Sequence, residues 1–300
     1  MAGEFEWDET LYAGSAAYYA AGRVPYPAEL ADAMAARLSL DGSGRLLDCG
    51  CGPGSLTLLL APLFSEAVGI DADPDMVARA SAHAERAGRR NAGPTPSVDD
   101  PPSMTACGAS SATNLRFRHM RAEKLPGGLG TFRLITFAQS FHWVDQPRVA
   151  RTAREMLEPG GAFALVHATT HQGVAGDDPL PSPRPPRSLI TELVASYLGP
   201  VRRAGRSLIP AGPPSGEDAV LQGAGLRGPD RIEVGGGAIT SRTEDEVVAS
   251  VFSLSSATPH LFGDRAGAFE QQLRGLLRQA SPSGRFSERM GGIAVDVWRP

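Results

Sequence analysis

The sequence predicts an α/β fold: a doubly wound, mostly parallel seven-stranded sheet with a small cap subdomain. Three observations predict it. Short apolar runs alternate with amphipathic stretches through residues 45–168, the rhythm of βαβ units whose sheet is covered on both faces. A glycine-rich segment, LLDCGCGPGS at 46–55, joins the first apolar run to the first amphipathic stretch. Two more apolar runs, at 230–234 and 293–298, resume the sheet pattern after a proline-rich break.

Residues 45–49 (RLLDC) are a buried strand, and 55–63 a helix opened by Ser55 and closed near Pro62. A strand at 66–70 (EAVGI) and a helix from Pro74 to about Arg86 follow. Strands at 115–120 and 132–138, a helix at 146–157 and a strand at 161–168 complete this half. Two places break the alternation. Residues 91–113 are rich in Pro, Ser, Thr and Gly without periodicity, and read as a flexible insertion. Residues 172–187 are proline-rich and lead to an amphipathic helix, LITELVASYL. Helices around 243–252 and 264–280 separate the last two strands. The expected organisation is an N-terminal lid at 1–40, a core at 41–170, a cap at 171–228 and completing strands and helices at 229–300.

Composition narrows the function. A chain of 300 residues with 42% apolar and 21% charged residues can bury one large α/β core with a subdomain. A net charge of -4 and a pI near 5.9 argue against nucleic acid or anionic membrane as partner. The longest apolar stretch, LTLLLAPLF at 56–64, is too short to span a bilayer, and the acidic start lacks the pattern of a secretion signal. The three cysteines, Cys49, Cys51 and Cys107, offer no CxxC spacing and no metal-ligand pattern, so no metal is expected and a cytoplasmic setting follows. The expected partner is a small molecule, and the expected state is a monomer or homodimer.

The glycine loop follows a strand and opens a helix, the context a nucleotide fingerprint needs. Glycine lets the chain turn sharply and approach a ligand closely. Asp71 ends the second strand 21 residues after Gly50, where a carboxylate accepts hydrogen bonds from a ribose diol. Two features disfavour a dinucleotide. The third fingerprint position is Ser55, with the glycines running Gly50, Gly52, Gly54, and Asp48 precedes the loop where it would repel a pyrophosphate but suit a cationic amine. A ligand carrying both ribose and an amino acid fits better, which points to S-adenosylmethionine.

LLDCGCGPG, GIDADPDM, FAQSFHW and EMLEPGGAF resemble the motifs of class I S-adenosylmethionine-dependent methyltransferases, over roughly residues 10–170. The start YAAGRVPYPAEL is similar to small-molecule members of the type 11/25-like kind. The resemblance implies a Rossmann-like fold, S-adenosylmethionine as cofactor and S-adenosylhomocysteine as product. It places Asp48, Gly50, Cys51, Gly52 and Gly54 on the methionine side and Asp71 on the ribose. Ala72, Met76, Ala122 and Glu123 would edge the adenine, and Gln139 and Ser140 would lie beside the methionyl group. Tyr19 and Arg23 would reach the cofactor from the lid, Arg23 pairing with its carboxylate. The chain departs from the family at Arg121, where an acid is common, and at Arg133, where the fourth strand often begins with Asp.

Methyl transfer is an in-line attack, so the protein mainly aligns the reactants, with a base needed only if the acceptor must shed a proton. His142, just past the fourth strand, is the candidate base. Trp143, His167, His171, Tyr12, Tyr18 and Tyr26 are candidate acceptor-site residues, although packing roles compete for each. The expected function is methyl transfer to a small molecule such as a secondary metabolite. The alternatives are a non-methylating reaction such as cyclisation on the same fold, or a non-catalytic scaffold that binds the cofactor.

Overall fold

The computed structural model describes residues 11–91, 114–200 and 216–300, with the backbone of 203–204 and 207–208. The insertion expected at 91–113 lies outside these residues, apart from Asn91. In chain order the strands are β1 (Arg45–Cys49), β2 (Glu66–Asp71), β3 (Leu115–His119), β4 (Phe132–Ala138), β5 (Leu157–His167), β6 (Arg203–Ala204), β7 (Ser207–Leu208), β8 (Arg227–Val234), β9 (Ile239–Thr243), β10 (Arg285–Arg289) and β11 (Ile293–Arg299). Seven of them form one sheet in the order β3-β2-β1-β4-β5-β11-β8. β1 to β5 are mutually parallel, Leu47 pairing with Val68 on one side and Ile135 on the other. β11 runs antiparallel between β5 and β8, so Val295 faces Val166 and Ile232. The sheet is doubly wound and mostly parallel, as its alternating sequence predicts.

Period-two alternation sorts the strand residues into two cores. Leu47, Ile135 and Phe163 point to the face covered by α5 (Gln146–Glu155) and α7 (Glu217–Gly223). Leu46, Leu134 and Ala164 point to the opposite face, covered by α2 (Ala28–Leu38) and α3 (Ser55–Leu60). α2 buries Leu30, Met34 and Leu38, an i, i+4, i+8 stripe, so the second N-terminal helix is a layer of the domain. Cutting Phe163 to Ala in such a core costs about 3–5 kcal/mol.

Several boundaries differ from the sequence reading. α4 (Pro74–Asn91) continues past Arg86 through an Arg- and Ala-rich turn carrying a Glu85–Arg89 ion pair at i, i+4. α5 stops at Glu155, and β5 begins at Leu157 rather than Gly161, because Leu157 pairs with Phe132 before a register shift. β9 and β10 have no counterpart in the expected elements. They pair antiparallel, and each carries a charge that reads as surface yet is buried: Arg242 Nε meets Glu288 Oε2 at 2.9 Å, the two side chains 3% and 5% exposed.

A third core belongs to a helical subdomain. α6 (Arg187–Leu198), α8 (Glu244–Phe252), α9 (Pro259–Phe262) and α10 (Ala266–Ala280) pack around Val247, Phe252, Phe269 and Phe286. α8 starts with a full capping box, Thr243 with Glu246. The cap is therefore assembled from segments on both sides of β8, not from 171–228 alone. The first helix, α1 (Ala16–Gly22), lies along α8 so closely that a Cβ at Gly22 would stand 2.4 Å from the Ala249 carbonyl oxygen. Among the described residues no helix is long and apolar enough to cross a membrane.

Candidate active site

The carboxyl ends of β1, β2 and β4 meet at the glycine loop, where an open sheet leaves a crevice. Gly50 and Cys51 both donate their N–H to the Ile70 carbonyl, at 2.8 and 3.0 Å, which folds the loop back over β2. Gly50 has φ +65°, and a Cβ there would stand 2.5 Å from Cβ of Ser140, so the loop can pass β4 only as glycine. Ser140 locks the same junction by donating Oγ–H to the Cys49 carbonyl at 2.6 Å. Gly52 has φ +55° with nothing within 4 Å of its missing Cβ, and it faces the crevice.

Asp71 closes one side. Its Oδ2 accepts from Gly52 N–H at 2.7 Å and its Oδ1 from Asp73 N–H at 2.9 Å. Burial raises its pKa from 3.8 to about 6, with those backbone bonds pulling the other way. The crevice holds about 660 Å³ of empty space, counting its open mouth. Ala72, Met76, Ala122 and Glu123 line it on the Asp71 side, and Gln139, Ser140, Tyr12, Tyr19 and Trp143 on the other. Gln139 holds φ +55°, a strained conformation for a non-glycine residue of the kind that gathers at functional sites.

A smaller recess continues from Tyr19 and Gly50 to Asp48, Cys51, Arg23 and Tyr26. Asp48 is fully buried at its floor. Thr57 donates to its Oδ2 at 2.6 Å and Thr136 to its Oδ1 at 2.8 Å. Desolvation nevertheless lifts its pKa from 3.8 to about 6. Arg23 donates to Ser253 Oγ and to the Ser253 carbonyl, both at 2.9 Å, and lies over the Tyr19 ring. Tyr26 is hydrogen-bonded to Gln139 and Tyr12 to Ser255, and burial pushes both phenols up. The donors and acceptors thus suit a ligand with a diol at one end and an ammonium and carboxylate at the other.

The remaining candidates separate. His142 and His167 line a second cleft, which shares Gln139 and Ser140 with the first and also holds Glu217. The His142 side chain keeps a solvent-exposed edge but sits among crowding atoms, and desolvation there lowers its pKa to about 4, with His167 adding to the effect. His167 Nε2 lies 3.4 Å from Asp296 Oδ2. His171 lines a third cavity, in the cap. Tyr18 is away from the crevice, packed against Phe252 at 4.9 Å between ring centroids. Gly54 lines neither crevice nor recess. Its missing Cβ points at Phe117 and Ala80, so it serves the turn into α3. Arg121 pairs with Glu123 at 3.3 Å. Sequence reasoning missed Thr57 and Thr136, whose hydroxyls carry no motif, and His119, whose Nε2 lies 3.0 Å from the Ala72 carbonyl. Among the described residues no three of His, Cys, Asp or Glu converge to hold a metal ion.

Residues 47–165 match the family described as a methyltransferase domain. An uncharacterized methyltransferase of Bacillus subtilis is 29% identical over 123 residues, 41% of this chain and 40% of that one. An uncharacterized methyltransferase of Mycobacterium tuberculosis is 30% identical over 168 residues, 54% of each chain. A ubiquinone biosynthesis O-methyltransferase of Cereibacter sphaeroides is 30% identical over 129 residues, 43% of this chain and 42% of its own. The chain spans about half, or less, of the length of the curated relatives it matches. A solved SAM-dependent methyltransferase from Geobacter sulfurreducens, in complex with S-adenosyl-L-homocysteine, aligns over 99% of both chains at 13% identity and a TM-score of 0.46.

Proposed function

We propose, from the match of residues 47–165 to the methyltransferase domain, that this chain is a class I enzyme that moves a methyl group from S-adenosylmethionine to a small-molecule acceptor. The single observation carrying this reading is the continuity of crevice and recess: Asp71 stands at one end, Asp48 and Arg23 at the other, and Gly52 is open between them. The cofactor, when bound, supplies an electrophilic methyl group on a sulfonium. Asp71 has oxygen lone pairs left to accept a ribose diol after its two backbone bonds. Asp48 places negative charge beneath the cationic end, and Arg23 offers a carboxylate partner at the rim.

The cleft that shares Gln139 and Ser140 is where an acceptor would lie. His142 is neutral above a pH of about 4, so at neutral pH it has a free lone pair to take the acceptor's proton. Its weak basicity suits a proton that leaves as the new bond forms. Calorimetry with S-adenosylmethionine and S-adenosylhomocysteine tests the cofactor, and labelled cofactor incubated with small-molecule extract tests the transfer. Binding of neither compound, or S-adenosylhomocysteine released without a methylated product, would refute the reading.

A further inference from the structure

The cap encloses about 1700 Å³ of empty space, counting its open mouth, far more than the crevice. Its walls include a broad apolar face, Ile190, Val194 and Leu198 from α6 with Leu254 and Leu261 beyond α8, and a polar side with Gln172, Thr191 and Ser256. Arg265 stands at its edge. The Arg265 guanidinium donates to the Tyr197 carbonyl at 2.8 Å and lies over the Tyr197 ring, and no carboxylate ion-pairs with it among the described residues. Arg187, the other arginine of the lining, donates to Glu288 at 3.0 and 2.8 Å and shares that carboxylate with Arg242. A chamber with a broad apolar wall and, at its edge, an arginine that no carboxylate pairs among the described residues matches a molecule with an apolar body and an anionic group.

Between this chamber and the cofactor crevice lie the N-terminal segment that carries Tyr12, Tyr19 and Arg23 and, behind it, residues 253–257. Ser253 and Ser255 turn to the cofactor side, where they hold Arg23 and Tyr12. Leu254, Ser256 and Ala257 turn to the chamber. The same alternation occurs at Thr170, which accepts Val24 N–H at 2.8 Å on the cofactor side, and His171, which lines the chamber. Whatever fills the chamber therefore presses on the segment that fixes two residues of the cofactor site.

We propose that the cap chamber is a second ligand site, that it takes an apolar carboxylate held by Arg265, and that its occupancy is coupled to cofactor affinity through residues 253–257. The coupling rests on the cofactor reading above, and the chamber's own ligand does not. The probe is 2-naphthoate, with the neutral 2-naphthylmethanol as control, titrated into the full chain by calorimetry. Naphthoate should bind more tightly than the alcohol, and Arg265→Gln should weaken it by about tenfold, the scale of one lost charged hydrogen bond. Val194→Trp, which sets an indole into the apolar wall, should weaken naphthoate binding while the melting temperature shows the variant folded. Saturating naphthoate should change S-adenosylhomocysteine affinity several-fold. Absence of naphthoate binding, equal binding of acid and alcohol, or indifference to both substitutions overturns the site. An unchanged S-adenosylhomocysteine affinity overturns the coupling. Failure of S-adenosylhomocysteine to bind without any naphthoate counts against the cofactor reading instead.

Discussion

Asp48→Asn should make the unliganded protein more stable at neutral pH while weakening its hold on the cofactor. Asp48 is 0% exposed and its carboxyl pKa is raised from 3.8 to about 6, chiefly by desolvation. A raised carboxylate favours the folded state only while protonated. Below pH 3.8 the folded and unfolded chains both hold the proton, and no penalty exists. Between 3.8 and about 6 the unfolded chain ionises first, so stability falls as pH rises. Above about 6 both are ionised and the penalty is constant. A rise of about 2 pH units corresponds to about 3 kcal/mol at 1.36 kcal/mol per unit. Asn keeps the shape, and Thr57 and Thr136 can rotate their hydroxyls to serve an amide. Urea unfolding at pH 4.5, 5.5, 6.5 and 7.5 measures the difference. The variant should gain on the parent between 4.5 and about 6 and keep that advantage above. A cationic ligand beside the carboxylate should shrink or reverse the gap. A variant less stable at pH 7.5, by a margin independent of pH, would show that Asp48 acts as a structural hydrogen-bond hub and not as a strained charge.

Asp71→Ala should weaken S-adenosylhomocysteine binding by about 1.5–3 kcal/mol in calorimetry, since it removes charged hydrogen bonds to the ligand. Gly50→Ala should lower unfolding free energy by about 2–4 kcal/mol, because a non-glycine residue at φ +65° and a contact 2.5 Å from Ser140 both oppose it; Ser140→Gly should recover part of that loss. His142→Ala should cut kcat by about 10²–10⁴-fold with cofactor affinity retained. Its pH profile carries a sign: the imidazole is free to accept a proton above a pH of about 4, so activity attributable to it is lost as pH falls through that value, and the variant should lack that limb.

The parallel half of the fold was legible because its strands are buried on both faces and its turns are punctuated. LLDCG and AVGID could hardly be anything but strands ending at a crevice. Asp71 and the loop glycines were found by spacing, which is a backbone property. The second half was harder to read. Arg242, Glu288 and Arg187 look like surface charge in sequence, yet they form a buried ion network that fixes β9 to β10 and to α6. Pairing of that kind joins residues far apart in the chain, Arg187 and Glu288 by 101 positions, which no local pattern records. The tyrosines illustrate the same limit. Tyr12, Tyr18, Tyr19 and Tyr26 look equivalent in sequence, but the turn of α1 sends Tyr18 into the Phe252 core and leaves Tyr19 on the crevice.

The place of β11 has a consequence for how the protein is made. Ile293–Arg299 is threaded between β5 and β8, although the ribosome delivers it after both. Until those residues emerge, β5 and β8 each present an open ladder edge, the template on which strands of other chains pair. The crevice half, β1 to β5, can already be assembled by then. A nascent chain stalled before Ile293 would thus own its nucleotide crevice and still be sticky. Early capture of the cofactor would hold that half together through the vulnerable interval, so supplying it during translation should raise soluble yield more than supplying it afterwards.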